Sequence, residues 1–160
     1  EDAAPTPWGQ SNGRGARKLL QRQLFGASEM GPGISTVMVD AFNSDAVPTH
    51  LLTVEAIELY RKRLTPNGLI AMHVSNRYLQ LVRVATGVLD AAGLPHVVVA
   101  GKRGDYAAFS VWVLASADPA LLDQVRAIAG EDVRTNTPPG LVWTDDLQSV
   151  VPIFSLNPVQ

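Results

Sequence analysis

Two aspartates that follow an apolar run are the residues best suited to chemistry in this sequence. Val37, Met38 and Val39 lead directly into Asp40, and Asp45 follows in a loop of small residues before a possible helix start. This order predicts the carboxyl end of a strand in an α/β sheet, where open α/β folds bind their ligands. A carboxylate there can accept a proton or hold a cation. Asp also caps turns and helix starts, so a structural role for either residue is the alternative.

Three strings of the sequence share their order and spacing with one protein family. They cover residues 39–53, 64–78 and 143–146. Together they resemble the spermidine synthase-like proteins, the polyamine aminopropyltransferases, and most closely the type that is fused to membrane transporter segments. The resemblance extends from about Val37 to Asp146 and is strongest before Leu81.

The resemblance implies an α/β fold, a Rossmann-like domain of the class I methyltransferase type. Such a domain has a mostly parallel sheet with helices on both faces. The first predicted strand corresponds to the family's fourth, so the first three strand–helix units are expected to be missing. Residues 13–15 precede a helix instead of following a strand, so they are not a dinucleotide-binding turn. We interpret residues 14–160 as a single partial domain and residues 1–13, rich in Pro, Gly, Asn and Ser, as a flexible arm.

Apolar periodicity predicts alternating strands and helices along the chain. The predicted strands are 36–40, 69–74, 96–100 and 107–115, with a short strand at 141–143. The predicted helices are 14–25, 53–64, 77–92 and 118–129, with a short final helix that Thr144 caps and Pro152 ends. Residues 66–68, Pro-Asn-Gly, predict a turn, and 131–140 a polar connection.

The activity that the resemblance implies is aminopropyl transfer from decarboxylated S-adenosylmethionine to a diamine such as putrescine. An amine is a nucleophile only when it is neutral, so a carboxylate must lie within reach of its proton. By resemblance, Asp40 is the catalytic base or amine anchor, and Asp45 is a second carboxylate that favours a dication over neutral amines. Neither a metal nor a redox cofactor is needed, and the adenosyl compound is a co-substrate.

Three further residues are candidates for substrate binding. His73 lies at the end of the second predicted strand of the resembling region, Asn76 follows that strand, and Tyr106 follows the loop 102–105. A histidine at a strand end can shuttle protons. For His73 the alternative is local packing, for Asn76 it is a loop or helix-cap role, and for Tyr106 it is packing within a strand.

A departure from the family pattern supports a different interpretation. Relatives carry Gly-Asp-Ala-Arg where this chain has Arg14-Gly15-Ala16-Arg17, and the family's Asp hydrogen-bonds the adenine amino group. Gly15 offers no side-chain acceptor. The chain is therefore alternatively a non-catalytic half-domain or assembly module, and methyl transfer on the same scaffold is a third possibility. Without its neighbouring strand, strand 36–40 would expose backbone groups and an apolar patch, which predicts a homo-oligomer or coverage by residues 1–25.

The composition bounds these interpretations. The chain has 160 residues, 46% apolar and 18% charged, with a net charge of −2, which fits one globular domain without general attraction to nucleic acid or anionic membrane. The absence of cysteine excludes disulfides and thiolate chemistry, and the three histidines lack metal-site spacing. Because no apolar run has the length of a membrane span, we expect a soluble chain in the cytoplasm.

Overall fold

The computed structural model describes residues 34–40, 48–101 and 110–155, which form five strands and three α-helices. The strands are β1 (Ile34–Val39), β2 (Leu64–His73), β3 (His96–Gly101), β4 (Ser110–Ala115) and β5 (Val133–Arg134). The helices are α1 (Val54–Arg63), α2 (Leu81–Ala91) and α3 (Pro119–Ala129), and short 3-10 turns lie at Thr49–Leu52, Gly130–Asp132 and Val151–Ile153. The predicted arm 1–13 and helix 14–25 lie outside the described residues.

The five strands form one mixed sheet in the order β1-β2-β4-β3-β5. β1 and β2 are parallel, whereas β4 is antiparallel to both β2 and β3, and β5 is antiparallel to β3. The α/β class is confirmed, but the prediction of a mostly parallel sheet is wrong. Only residues 102–109 separate β3 from β4. A parallel neighbour needs a crossover of a dozen or more residues, so this connection suits an antiparallel pair.

β2 is longer than its apolar run. It begins at Leu64 instead of Leu69, and it contains the Pro-Asn-Gly segment that was predicted as a turn. Leu64 pairs with Ile34 and Leu69 pairs with Thr36, so five steps along β2 match two along β1. The extra residues form an irregularity in the ladder, which accommodates turn-forming residues without ending the strand.

The predicted starts of α1 and α3 are confirmed by their caps. The Thr53 hydroxyl accepts a hydrogen bond from the N–H of Ala56 at 3.2 Å, and the Asp118 carboxylate accepts one from the N–H of Ala120 at 2.9 Å. Each bond satisfies a backbone donor that the first turn of a helix leaves without a partner. Pro119 follows Asp118 in the first turn of α3, where its missing N–H costs nothing.

Helix α2 begins four residues later than predicted, at Leu81 instead of Arg77. The Asn76 side-chain oxygen accepts the N–H groups of Tyr78 and Leu79, both at 3.0 Å. This closes a turn before the helix can start. The other end of the helix is where the pattern placed it, because Gly93 has φ 62 and ends the helical run.

The end of the described chain differs from its prediction. Residues 141–143 are not a strand, and Thr144 pairs with Leu147 in a tight turn instead of capping a helix. Pro152 lies within a 3-10 turn, and β5 occupies part of the predicted polar connection. The segment is held by backbone contact with α2, since the N–H of Leu141 donates to the carbonyl of Arg83 at 2.8 Å. A strand at 141–143 would need a hydrogen-bonding partner in the sheet. The Leu141 N–H bonds a carbonyl of α2 instead.

The sheet has a core on each face. Alternate residues of β2 separate into two clusters, since Ile70 and Met72 pack with α1 and α2 whereas Leu69 and Ala71 pack with α3. This is the two-sided burial expected of a sheet covered by helices on both faces. The described residues include no helix long and apolar enough to span a membrane.

Candidate functional site

An aspartate and a histidine meet at the edge of the sheet where β1 and β2 end. Asp40 directly follows β1, and His73 is the last residue of β2. The two strands are parallel with Val39 beside Met72, so their carboxyl ends reach the same edge. His73 Nδ1 lies 2.8 Å from Asp40 Oδ1, and 28% of the His73 side chain and 34% of the Asp40 side chain are exposed. The structure therefore brings together two of the candidate residues that the sequence predicts.

The hydrogen bond between them determines what the imidazole can do. An ionised carboxylate has no hydrogen to donate, so Nδ1 of His73 must carry the hydrogen in this 2.8 Å bond. In a neutral imidazole the other nitrogen, Nε2, is then the acceptor. The pair combines a negative charge, which attracts a cation, with a nitrogen that can take up a proton.

A third side chain, Trp112, completes this cluster, although it is not among the candidates that the sequence predicts. Trp112 lies on β4 directly opposite His73 in the antiparallel ladder. The two rings are stacked, with centroids 4.7 Å apart and an interplanar angle of 26°. No local string near Trp112 indicates this contact, because it depends on β4 pairing with β2.

Asn76 has a local role in the structure. Its side-chain oxygen holds the loop before α2 through the N–H groups of Tyr78 and Leu79. The guanidinium of Arg77 lies 5.5 Å from the centre of the Tyr78 ring in the same loop. These contacts support the loop-forming alternative, and substrate binding by Asn76 stays a prediction.

Within the described residues, no other candidate from the sequence adds a group to this site. Asp45 and Tyr106 lie outside the described residues, as does Gly15. His96 is at the start of β3, and its Nδ1 lies 3.4 Å from the carbonyl oxygen of Leu94. Among the residues that the structure describes, no three His, Asp or Glu side chains are grouped as a metal site would require.

Asp145, in the third resembling string, has a structural role. Asp145 Oδ1 accepts a hydrogen bond from the Thr53 hydroxyl at 2.7 Å, and the N–H of Asp145 donates to Glu55 at 3.1 Å. Because Thr53 is the N-cap of α1, these bonds attach the end of the described chain to the start of that helix. The side chains of Thr49 and Gln148 also contact each other across this junction.

Comparisons with known proteins leave the family open. No protein-family model matches the sequence, and no curated protein matches it significantly. The resemblance of the three strings therefore stays a prediction. The chemistry of the site rests on the geometry of Asp40, His73 and Trp112.

Proposed function

We propose that this chain carries the amine site of a spermidine synthase-like aminopropyltransferase, with a diamine such as putrescine bound near Asp40 and His73. The observation that carries the proposal is the 2.8 Å contact between a carboxylate and an imidazole at the carboxyl ends of two neighbouring parallel strands. Ligands bind at this edge in open α/β sheets. Both groups are partly exposed there, so an amine in solution can reach them.

The proposed reaction needs a proton acceptor and a carboxylate. The ammonium group of the diamine first loses a proton, because only the neutral amine has a lone pair for attack. That lone pair attacks the carbon next to the sulfonium of decarboxylated S-adenosylmethionine. The carbon–sulfur bond breaks, and its electron pair stays on sulfur, which leaves as neutral methylthioadenosine. Asp40 attracts the cationic diamine, and orientation of the two substrates supplies the remaining catalysis.

The described part of the sheet supports the finer fold assignment within this proposal. β1, β2 and β3 run in one direction, and helices cover both faces of the sheet. This is compatible with the second half of a Rossmann-like domain of the class I methyltransferase type. Under the same proposal the chain is cytoplasmic and acts on small molecules.

A non-catalytic assembly module is the second candidate function. Within the described residues β1 is an outer strand of the sheet, and its residues Ile34 and Met38 are 49% and 43% exposed. An outer strand with apolar side chains can pair with another chain. This favours a homo-oligomer joined near β1, which retains the fold without binding the adenosyl donor.

A product assay tests the two candidates. The purified chain is incubated with decarboxylated S-adenosylmethionine and putrescine, and methylthioadenosine is measured. Asp40→Asn should abolish its formation because it removes the charge while keeping the shape. Asp123→Asn is the matched control, since its carboxylate lies on the exposed face of α3 and bonds Arg126 at 2.7 Å.

Calorimetry with putrescine tests whether the chain binds the diamine even if it forms no product. Binding by the wild type that Asp40→Asn weakens and Asp123→Asn does not would retain the amine site. Equal putrescine binding by wild type and Asp40→Asn would contradict it. A wild-type chain with neither product nor diamine binding would leave the assembly module as the better candidate.

A further inference from the structure

We infer that His73 is the catalytic proton acceptor of this site and that Asp40 and Trp112 are positioning residues that hold its ring. The inference rests on the proposed amine chemistry and divides the roles within it. The family resemblance implies that Asp40 is the catalytic base or the amine anchor. The geometry instead places the Asp40 carboxylate on the Nδ1–H of an imidazole, where it acts through that ring.

His73 is held from the strands on both sides of β2. β2 lies between β1 and β4 in the sheet. Asp40, at the end of β1, bonds one ring nitrogen at 2.8 Å, and Trp112, on β4, stacks on the imidazole with the ring centroids 4.7 Å apart. A hydrogen bond and a stacking contact in different directions leave little freedom for rotation about either side-chain bond. A proton acceptor must be oriented in this way before its substrate arrives.

Trp112 is itself fixed by burial. It is 9% exposed and belongs to the smaller core cluster, which includes Leu69, Ala71 and Leu114. His73 continues the same face of β2 as Leu69 and Ala71, so the imidazole lies at the edge of that cluster. The indole is therefore held in place by the core, and the partly exposed imidazole packs against it.

The two neighbours also favour the charge that His73 would acquire. When Nε2 takes a proton from the ammonium group, the ring becomes an imidazolium that carries hydrogen on both nitrogens. The carboxylate of Asp40 stays ionised and stabilises that charge across the 2.8 Å bond. The electron-rich face of Trp112 stabilises a cation stacked upon it. The amine, now neutral, keeps its lone pair for the sulfonium carbon, and His73 returns the proton to solvent after the transfer.

The first test is nitrogen NMR of the histidine side chains at a pH where they are neutral. The His73 signals are assigned by their loss in His73→Gln. The wild type should show His73 with its hydrogen on Nδ1, and Asp40→Asn should shift the population toward hydrogen on Nε2. Wild-type His73 with its hydrogen on Nε2 would overturn the inference. This measurement needs no substrate, so it is independent of the proposed activity.

The second test compares variants of the three residues in the product assay. His73→Gln should lower kcat by about 100-fold or more, in the range of a lost general base. Trp112→Phe keeps an aromatic face and should retain most of kcat. Trp112→Leu should lower kcat more than it changes KM, and its His73 ring signals should lose the shift caused by the stacked indole.

The combined results separate the inference from the proposed function. An active wild type whose His73→Gln variant keeps full kcat would refute His73 as the acceptor while leaving aminopropyl transfer intact. The wild type could instead be inactive and still carry the His73 hydrogen on Nδ1, with Asp40→Asn displacing it. That result would refute the activity but support the proposed orientation of His73. Equal His73 ring shifts in Trp112→Phe, Trp112→Leu and wild type would refute Trp112 as a positioning residue.

Discussion

Replacing Gly87 with alanine should loosen the attachment of residues 139–141 to α2. A Cβ atom at position 87 would lie 2.5 Å from both the backbone nitrogen and the carbonyl oxygen of Leu141. Ordinary contacts begin near 3.4 Å, and the atoms that obstruct the new methyl group belong to the backbone. The segment must therefore move by roughly 1 Å, because no side chain can rotate away instead.

The expected cost combines three contributions. Overpacking of this kind costs about 1–3 kcal/mol. The movement also disturbs the hydrogen bond from the Leu141 N–H to the Arg83 carbonyl at 2.8 Å, which contributes about 1 kcal/mol. Alanine is better than glycine inside a helix by about 1 kcal/mol, which offsets part of this loss. The net destabilisation is about 2 kcal/mol, and the melting temperature should fall by about 4–8 °C.

Urea and thermal unfolding followed by circular dichroism measure this effect. Gly101→Ala is the control, since the nearest atom to its new Cβ is the Ser110 Oγ at 3.3 Å, a side-chain atom that can rotate. Gly140→Ala approaches the same contact from the other side, because its Cβ would meet the Gly87 Cα at 2.7 Å. The two alanine variants should therefore be non-additive. A Gly87→Ala protein at least as stable as the wild type would refute the close approach.

Three further predictions concern pH, the donor and assembly. Burial raises the pKa of Tyr60 above its ordinary value of 10.0, and its hydroxyl donates to the Leu51 carbonyl at 3.2 Å. The free energy of unfolding should therefore fall as the pH rises above 10, and it should fall less in Tyr60→Phe. Urea titrations below and above pH 10 would measure the difference. Methylthioadenosine should bind the isolated chain weakly or not at all, since Gly15 has no side-chain acceptor, and micromolar binding by calorimetry would contradict this. Sedimentation at micromolar concentration should show an assembly, whereas a monomer that tolerates deletion of residues 1–25 would exclude both proposed ways of covering β1.

The features that the sequence predicted correctly depend on neighbours in the chain. Thr53 and Asp118 cap their helices with bonds to residues two or three positions later. Gly93 ends α2 because it adopts the left-handed backbone conformation that glycine tolerates. Such interactions involve only residues that are close in the chain, so a local pattern of residue types predicts them.

The errors arise where distant segments compete for the same backbone groups. Apolar periodicity identified β4 as a strand but could not show its direction, which depends on the strands that it joins. The pattern at 141–143 is compatible with a strand, yet the Leu141 N–H bonds the carbonyl of Arg83 in α2. Gly87 and Gly140 permit that approach because neither has a side chain to hold the backbones apart. A single strand-like string carries no information about this partner.

The candidate site shows how both kinds of information are needed. Asp40 and His73 can each be identified from the sequence alone, because each lies at the end of an apolar run that is typical of a strand. Their contact at 2.8 Å follows from the parallel pairing of β1 and β2 with Val39 beside Met72. A shift of one residue in that register would turn one side chain to the other face of the sheet. Trp112 required in addition that β4 insert beside β2 in the opposite direction, which places it across from His73. The division of roles between carboxylate and imidazole is therefore a property of the sheet pairing, and variants that alter the register should abolish the Asp40–His73 bond even when all three side chains are kept.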